Sequence, residues 1–287
     1  MIPRRIIQTG KTKVLSPLMQ ASVANLKLLH PEWEYLYFDD EDIMVFVGTE
    51  FPEYEAVMAG FPNAIQRIDF FRYLAVYRLG GFYFDLDVFL SKSLLPLLDA
   101  ACVFPFEELT LNRYLSHQCD IDWEIGNYAF GAEAGHPFLG AVIENCVRAQ
   151  QEPAWLKPMR EGIPLLFRSE FEVLNSTGPG LLTRTLAERA VTAADMTILF
   201  PPDVCDPAQW HLFGDYGVHM MDGSWRSQAS PFHRRILCWW ESRARSRTLP
   251  GSRRLGAKRS LASRRADTAD ATPELHTEDY TSELAEH

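Results

Sequence analysis

Two aspartates separated by one residue stand at the end of an apolar run, Phe82-Tyr83-Phe84-Asp85-Leu86-Asp87-Val88. The aromatics favour a strand. Side chains two apart on a strand share a face, so Asp85 and Asp87 are expected to point one way and Leu86 towards the core. Two like charges that close repel, and a divalent cation relieves the repulsion. Hard oxygen donors suit Mg²⁺ or Mn²⁺, which often bridge to the phosphate oxygens of a substrate. A surface turn carrying two solvated acids would show the same letters, so the flanking segments have to decide.

Those segments describe how the carboxylates are positioned. Gly80-Gly81 stops a helix just before the strand. The helix spans 64–79, with Asn63 and Gln66 spaced as a capping box and an apolar face of Ile65, Ile68, Phe71, Leu74, Ala75, Val76 and Leu79. The carboxylates therefore fall at the C-terminal end of a buried strand, where open α/β sheets hold ligands. Asp69 and Arg72 lie three apart on the preceding helix. They are either a helix-surface ion pair or part of the same ligand site.

The other elements alternate in the same way. Strands are expected at 2–9, 33–38, 102–106, 127–130, 198–202 and 217–221. Helices are expected at 17–29 behind Ser16-Pro17, at 43–58 with breaks near Gly48 and Pro52, at 137–149 and at 179–190. The acids Asp39 to Asp42 read as a solvated helix start. Residues 109–124 read as an irregular loop, and 153–168, with three prolines, as a lid. Thr177-Gly178-Pro179-Gly180 opens a helix whose N–H groups could receive an anion.

The chain has 287 residues, of which 47% are hydrophobic, enough for a sizeable core. A net charge of −10 argues against general nucleic-acid binding. The charge is uneven, with nine Lys/Arg and no acids over 243–265, then seven acids and no Lys/Arg over 266–287. This stretch reads as a disordered tail, basic then acidic. Five scattered cysteines without C-x-x-C spacing read as reduced thiols. No secretory leader and no membrane-length apolar run is visible, so the expected setting is cytoplasmic. Trp239 and Trp240 before the basic stretch read either as an interfacial anchor at the inner face of an anionic membrane or as core.

Several of these pieces together resemble one family. Asp69-x-x-Arg72-Tyr73, Tyr77-x-x-Gly80-Gly81-x-Tyr83 and Asp85-x-Asp87 are similar to the sugar-binding D-x-D region of family 32 glycosyltransferases. That family includes yeast-type α-1,6-mannosyltransferases and bacterial polysaccharide glycosyltransferases. Ile2-Pro3-Arg4-Arg5-Ile6-Ile7-Gln8-Thr9 resembles its opening strand, Ser176-Thr177-Gly178-Pro179 its T-G-P segment, and His219 with Gly223-Ser224-Trp225 its late H and S-W segment. The opening strand usually reads I-I-H-Q-x-W, and here Ile7 and Gly10 stand at the His and Trp positions.

The resemblance implies an α/β GT-A fold over 1–242, a single Rossmann-like nucleotide-sugar-binding domain with a mixed sheet, followed by the tail 243–287. It implies a retaining, metal-dependent transfer of a hexose from a UDP- or GDP-sugar to a glycan or lipid-linked acceptor, in polysaccharide or glycolipid synthesis. Asp87 would bind Mn²⁺ (or Mg²⁺) directly and Asp85 its shell or the donor ribose, with His219 as a late ligand. Trp225 and Ser224 would close over the diphosphate. Asp69 and Arg72 would hold the donor sugar, with Asn127 near it and Gln8, Thr9, Tyr73 and Gly178 on the donor side. Two alternatives stand beside this reading. One is a haloacid-dehalogenase-like phosphatase, although Phe89 occupies the place where that family wants Thr or Val. The other is a non-catalytic sugar-nucleotide-binding scaffold.

Overall fold

In the computed structural model, the sequence pattern Ile-x-x-Thr, aromatic-rich 34–38 and Phe-Tyr-Phe becomes three parallel strands at one end of a seven-stranded sheet. The structure describes residues 1–220 together with Ile236, Leu237, Trp239, Trp240 and Glu241. In chain order the first elements are β1 (Arg5–Thr9), α1 (Pro17–Leu29), β2 (Glu34–Phe38), α2 (Asp40–Glu50), α3 (Glu55–Gly60), α4 (Ala64–Leu79), β3 (Gly81–Phe84) and β4 (Val88–Leu90). There follow β5 (Cys102–Leu109), α5 (Arg113–Gln118), β6 (Trp123–Ile125), β7 (Ala129–Ala132), α6 (Pro137–Gln151), α7 (Arg168–Ser176), α8 (Pro179–Glu188), β8 (Met196–Leu199), β9 (Leu212–Phe213) and β10 (Gly217–His219).

The large sheet runs β2-β1-β3-β7-β5, with β6 and β8 both on β5. β1, β2, β3, β5 and β8 point one way, and the β6 and β7 segments run against them. The expected α/β class and mixed sheet are both present. β1 is followed by β2 on one side and flanked by β3 on the other, a strand order of the kind beyond whose C-terminal ends α/β sheets hold ligands.

Strand alternation divides the core into two layers. Ile7, Tyr83, Phe104 and Phe130 face α2, α4, α6 and α8, while Ile6, Phe82, Phe84 and Val103 face α1 and a second, three-stranded sheet β4-β10-β9. The turn from α4 into β3 needs glycine. Gly80 and Gly81 have φ of +65° and +109°, and a Cβ on Gly81 would lie 2.8 Å from the Arg5 backbone.

The helix starts follow their sequence signals. Ser16 accepts from the Met19 N–H, Asp39 caps α2, and the Asn63 N–H donates to Gln66 Oε1 at 3.1 Å. Two expectations are corrected. The segment 109–124 is not irregular, because it holds the end of β5, α5 and β6. The prolines of 153–168 shape short 3₁₀ turns that lead directly into α7, which no capping side chain announces. The tail 243–287 lies outside the described residues. Of the tryptophan pair, Trp240 packs on Phe167 and Phe171 and Trp239 is exposed.

Candidate active site

The strand β3 stops at Phe84, before the aspartates. The Asp85 N–H donates to the Tyr128 carbonyl at 2.7 Å, and the Val88 N–H returns to the Asp85 carbonyl at 3.2 Å. Residues 85–88 thus form a tight turn, and Leu86 is buried. The turn, not strand alternation, brings the carboxylates to one place. With His219 they form a group whose ligating atoms all lie within 4.8 Å of one another.

His219 arrives from 132 residues further along the chain through the small sheet, where β10 pairs antiparallel with β4 and sets His219 opposite Val88. The Met220 N–H donates to the Asp87 carbonyl at 2.9 Å, which extends that pairing to the turn itself. His219 Nε2 lies 3.3 Å from Asp87 Oδ2, and its ring stacks on Tyr128 with centroids 4.3 Å apart. Burial pulls the imidazole pKa down, and the hydrogen bond and charge of Asp87 outweigh it and hold the pKa above the ordinary value. The hairpin is anchored from α1. Ser22 donates to the Val88 carbonyl, and Asn25 both donates to and accepts from the Leu90 backbone.

Asp85 is held from the opposite side, by a buried network. Arg72 Nη2 lies 3.1 Å from Asp85 Oδ1 and 3.4 Å from Asp69 Oδ1, so one guanidinium bridges two carboxylates. Arg72 Nη1 donates to the Asn127 carbonyl at 2.6 Å, and the Tyr83 ring lies against the guanidinium at 4.6 Å. The Tyr83 hydroxyl donates to Asp85 Oδ1 at 2.8 Å and shares a hydrogen bond with Thr9. Gln8 Nε2 donates to the Asp85 carbonyl, and Gln8 Oε1 accepts from Tyr35. Asp69 accepts from Asn127 Nδ2 and Thr177 Oγ1, each at 2.9 Å.

The charges explain the protonation tendencies. Burial pushes the Asp69 carboxyl up to about 6, with Arg72 and the two hydrogen bonds opposing it. Burial also raises Asp85, against the pull of Arg72. Burial disfavours the charged Arg72 guanidinium, and Asp85, Tyr83, Asp69 and Tyr73 together more than compensate, so it stays charged.

Most sequence-expected residues therefore converge. Asp85, Asp87 and His219 meet, and Asp69, Arg72, Asn127, Gln8 and Thr9 surround them. Three of these are positioned differently from expectation. Asp69 is buried and fully engaged with Arg72, Asn127 and Thr177. Tyr73 is fully buried; its hydroxyl donates to the Thr177 carbonyl at 2.6 Å and accepts from Asn127, so it supports the site instead of lining it. The Gly178 N–H donates to the Val173 carbonyl and Pro179 has no N–H, so neither of these two offers an anion a donor. Ser224 and Trp225 lie outside the described residues. Sequence reasoning missed the roles of Tyr83, Thr177, Tyr128, Ser22 and Asn25. Only Tyr83 and Thr177 carried a signal, lying inside segments already singled out.

The donor set fits a divalent cation. Two carboxylates and one imidazole converge, a hard oxygen-rich set with one nitrogen, as Mn²⁺ or Mg²⁺ accepts. Among the described residues this is the group of three acidic, His or Cys side chains with ligand atoms so close.

Comparison with known proteins agrees with this site. Residues 17–104, which contain both aspartates, match the family described as glycosyltransferase sugar-binding region containing DXD motif. The chain is 33% identical over 147 residues to inositol phosphoceramide mannosyltransferase 3 of Schizosaccharomyces pombe, covering 51% of this chain and 38% of that protein. It is 32% identical over 183 residues to mannosyl phosphorylinositol ceramide synthase SUR1 of Saccharomyces cerevisiae, covering 64% of this chain and 41% of that one. The chain thus spans less than half the length of these relatives. Among solved structures, the PaToxG glycosyltransferase aligns at 16% identity with a TM-score of 0.45, covering 68% of this chain and 72% of that one. Residues 17–104, with the Asp85-Leu86-Asp87 turn they contain, are thus similar to the sugar-binding region of glycosyltransferases that carry a DXD motif.

Proposed function

We propose that the protein is a metal-dependent, retaining glycosyltransferase that moves a hexose from a nucleoside-diphosphate donor to a glycan or glycolipid acceptor. The convergence of Asp85, Asp87 and His219 at the C-terminal edge of the sheet carries this reading. Asp87 and His219 would hold a Mn²⁺ or Mg²⁺ ion. Asp85, already matched in charge by Arg72, would support its shell or the donor ribose. When bound, the ion supplies charge neutralisation for a departing diphosphate, an electrostatic contribution that is often the largest in catalysis. Arg72 and Asn127 would orient the donor sugar, with Asp69 fixing both. By resemblance, Ser224 and Trp225 would close over the diphosphate, the Trp225 indole N–H donating to the leaving oxygen.

The acceptor follows from the relatives. The Schizosaccharomyces pombe protein is named as an inositol phosphoceramide mannosyltransferase, which supports a glycolipid acceptor and mannose as the first sugar to try. The proposed setting is the cytoplasm, with the protein peripheral at the inner face of the membrane that carries the acceptor. No helix among the described residues is long and apolar enough to cross one.

The test is nucleoside diphosphate release from a panel of UDP- and GDP-sugars with Mn²⁺. Slow hydrolysis of one donor is expected, lost on chelation and reduced about a hundredfold to a thousandfold in Asp87→Ala. Phosphate release from simple phosphoesters, with no response to any sugar nucleotide, would replace this reading with a phosphatase.

A further inference from the structure

Asn127 and Tyr128, consecutive in the chain, touch both halves of the candidate site. The Asn127 carbonyl accepts from Arg72 at 2.6 Å, and its amide donates to Asp69 at 2.9 Å. The Tyr128 carbonyl accepts from the Asp85 N–H at 2.7 Å, while its ring stacks on His219 with centroids 4.3 Å apart. Whatever fixes this segment therefore fixes the relation between the Arg72 network and His219. Gly126 leads into it and is tied to β5, its N–H donating to the Pro105 carbonyl at 2.9 Å.

A bulge in β5 aims one further carboxylate at the same place. Phe106 pairs with Ile125 and Glu108 with Glu124, so Glu107 is the extra residue on β5. Such bulges re-aim a side chain and are frequent beside active sites. Glu107 Oε2 is shut off from solvent. It fills the space that a side chain at 126 would take, since a Cβ on Gly126 would lie 2.3 Å from Glu107 Oε2 and 2.9 Å from Tyr128 Cε1. Glycine in a strand region often marks such a close approach, and any larger residue here would push the carboxylate or the ring away.

The Glu107 charge also reaches the other groups. Burial lowers the His219 pKa, and Asp87, Asp85 and then Glu107 raise it. Burial raises the Tyr128 hydroxyl, and Glu107 raises it further. Taking a carboxylate oxygen out of water is costly. A neutral side chain of the same shape would fill the gap without that cost, so the charge itself points to a role.

We propose that Glu107 is a positioning residue of the site. Its carboxylate, wedged against Gly126, sets the Asn127–Tyr128 segment and, through the Tyr128 ring, the orientation of His219, and its negative charge strengthens the hold on a cation. The part concerning the cation rests on the reading of Asp85, Asp87 and His219 as its ligands; the part concerning His219 does not.

Two measurements on the intact chain test this. The first is made without metal and follows the His219 ring resonances by NMR, assigned by their loss in His219→Gln. Glu107→Gln keeps the shape and removes the charge, and Gly126→Ala adds a β-carbon that displaces the carboxylate. Both should shift the His219 resonances, with wild-type circular dichroism. The second is Mn²⁺ titration calorimetry, in which Glu107→Gln should bind about tenfold more weakly than wild type, as expected for a group behind the metal ligands. His219 resonances unmoved in Glu107→Gln, or full Mn²⁺ affinity in that variant, would overturn the proposal, and Glu107→Gln decides this even where Gly126→Ala does not fold. Absence of Mn²⁺ binding by the wild type, with the resonances still shifted by Glu107→Gln, would sink the cation reading and leave the positioning of His219 standing.

Discussion

Asp85 and Asp87 stand two residues apart and are held in opposite ways. Asp85 is gripped from the buried side by Arg72 and Tyr83, groups on α4 and β3 within thirteen residues of it. Asp87 is met by His219, which a separate hairpin delivers from the far end of the described chain. The first arrangement is built from local sequence and desolvated charge. The second depends on long-range pairing. The difference fits the proposed division of labour, in which Asp85 organises and Asp87 with His219 would hold the ion.

Breaking the buried side should cost the most stability. Arg72→Met leaves Asp69 and Asp85 without their shared cation, and removing one partner from a buried charge cluster costs about 3–5 kcal/mol. Urea unfolding should show that loss, and adding Asp85→Asn should recover part of it, because one uncompensated charge disappears. A loss as small as that of a surface pair, about 0–1 kcal/mol, would mean that Arg72 serves the ligand and not the fold.

The hairpin side should respond differently. His219→Ala removes a proposed ligand and a ring stacked on Tyr128 while leaving the buried network intact. Mn²⁺ affinity, measured by titration calorimetry on the intact chain, is expected to fall about 10- to 100-fold, with a much smaller change in unfolding midpoint than Arg72→Met. Unchanged affinity would remove His219 from the ligand set and leave Asp85 and Asp87 alone.

A finer cut separates support from contact. Tyr73→Phe deletes a hydroxyl that joins Asn127 to the Thr177 carbonyl. Stability should drop by about 1–2 kcal/mol, with donor KM little changed. The reverse result, a raised KM at full stability, would return Tyr73 to the donor-binding surface.

The same contrast explains what was legible in the sequence. The buried side could be read because its signals are local: the Gly80-Gly81 break, the Asn63/Gln66 box and the Asp69-to-Asp87 spacing all fall within 25 residues. The hairpin could not. β4 and β10 are three residues each, too short to show a period, and their partnership spans more than a hundred residues. Ser22 and Asn25 hold β4 through backbone hydrogen bonds, a role that no local pattern in α1 announces. The aspartates were expected on one strand face and are instead gathered by a turn. The residues were right and the geometry was not, because a D-x-D pattern fits either conformation. α7 was missed because it starts without a capping side chain behind a proline-rich stretch.

The smallest expected effect tests how that anchored hairpin responds to acid. His30 closes α1 and ties it to the loop after β4, with Nδ1 3.0 Å from the Leu26 carbonyl and Nε2 accepting from the Leu94 N–H at 2.9 Å. Both contacts require the neutral ring, with the proton on Nδ1. Burial lowers the His30 pKa below its ordinary 6.5, against the pull of the Leu26 carbonyl. The unfolded chain therefore takes the proton more readily, and this residue's contribution is full above about 6.5 and is lost as pH falls below it. His136 has a pKa lowered in the same direction, while Asp69 and Asp85, raised by burial, have the opposite sign. Those contributions are common to wild type and variant and cancel in a comparison of the two. His30→Gln keeps an oxygen acceptor for the Leu94 N–H and does not titrate. Its urea midpoint should fall less steeply than that of wild type between about pH 7 and pH 5. Parallel curves would show that the α1–β4 junction does not sense the proton, and would leave the acid response to the other titrating groups.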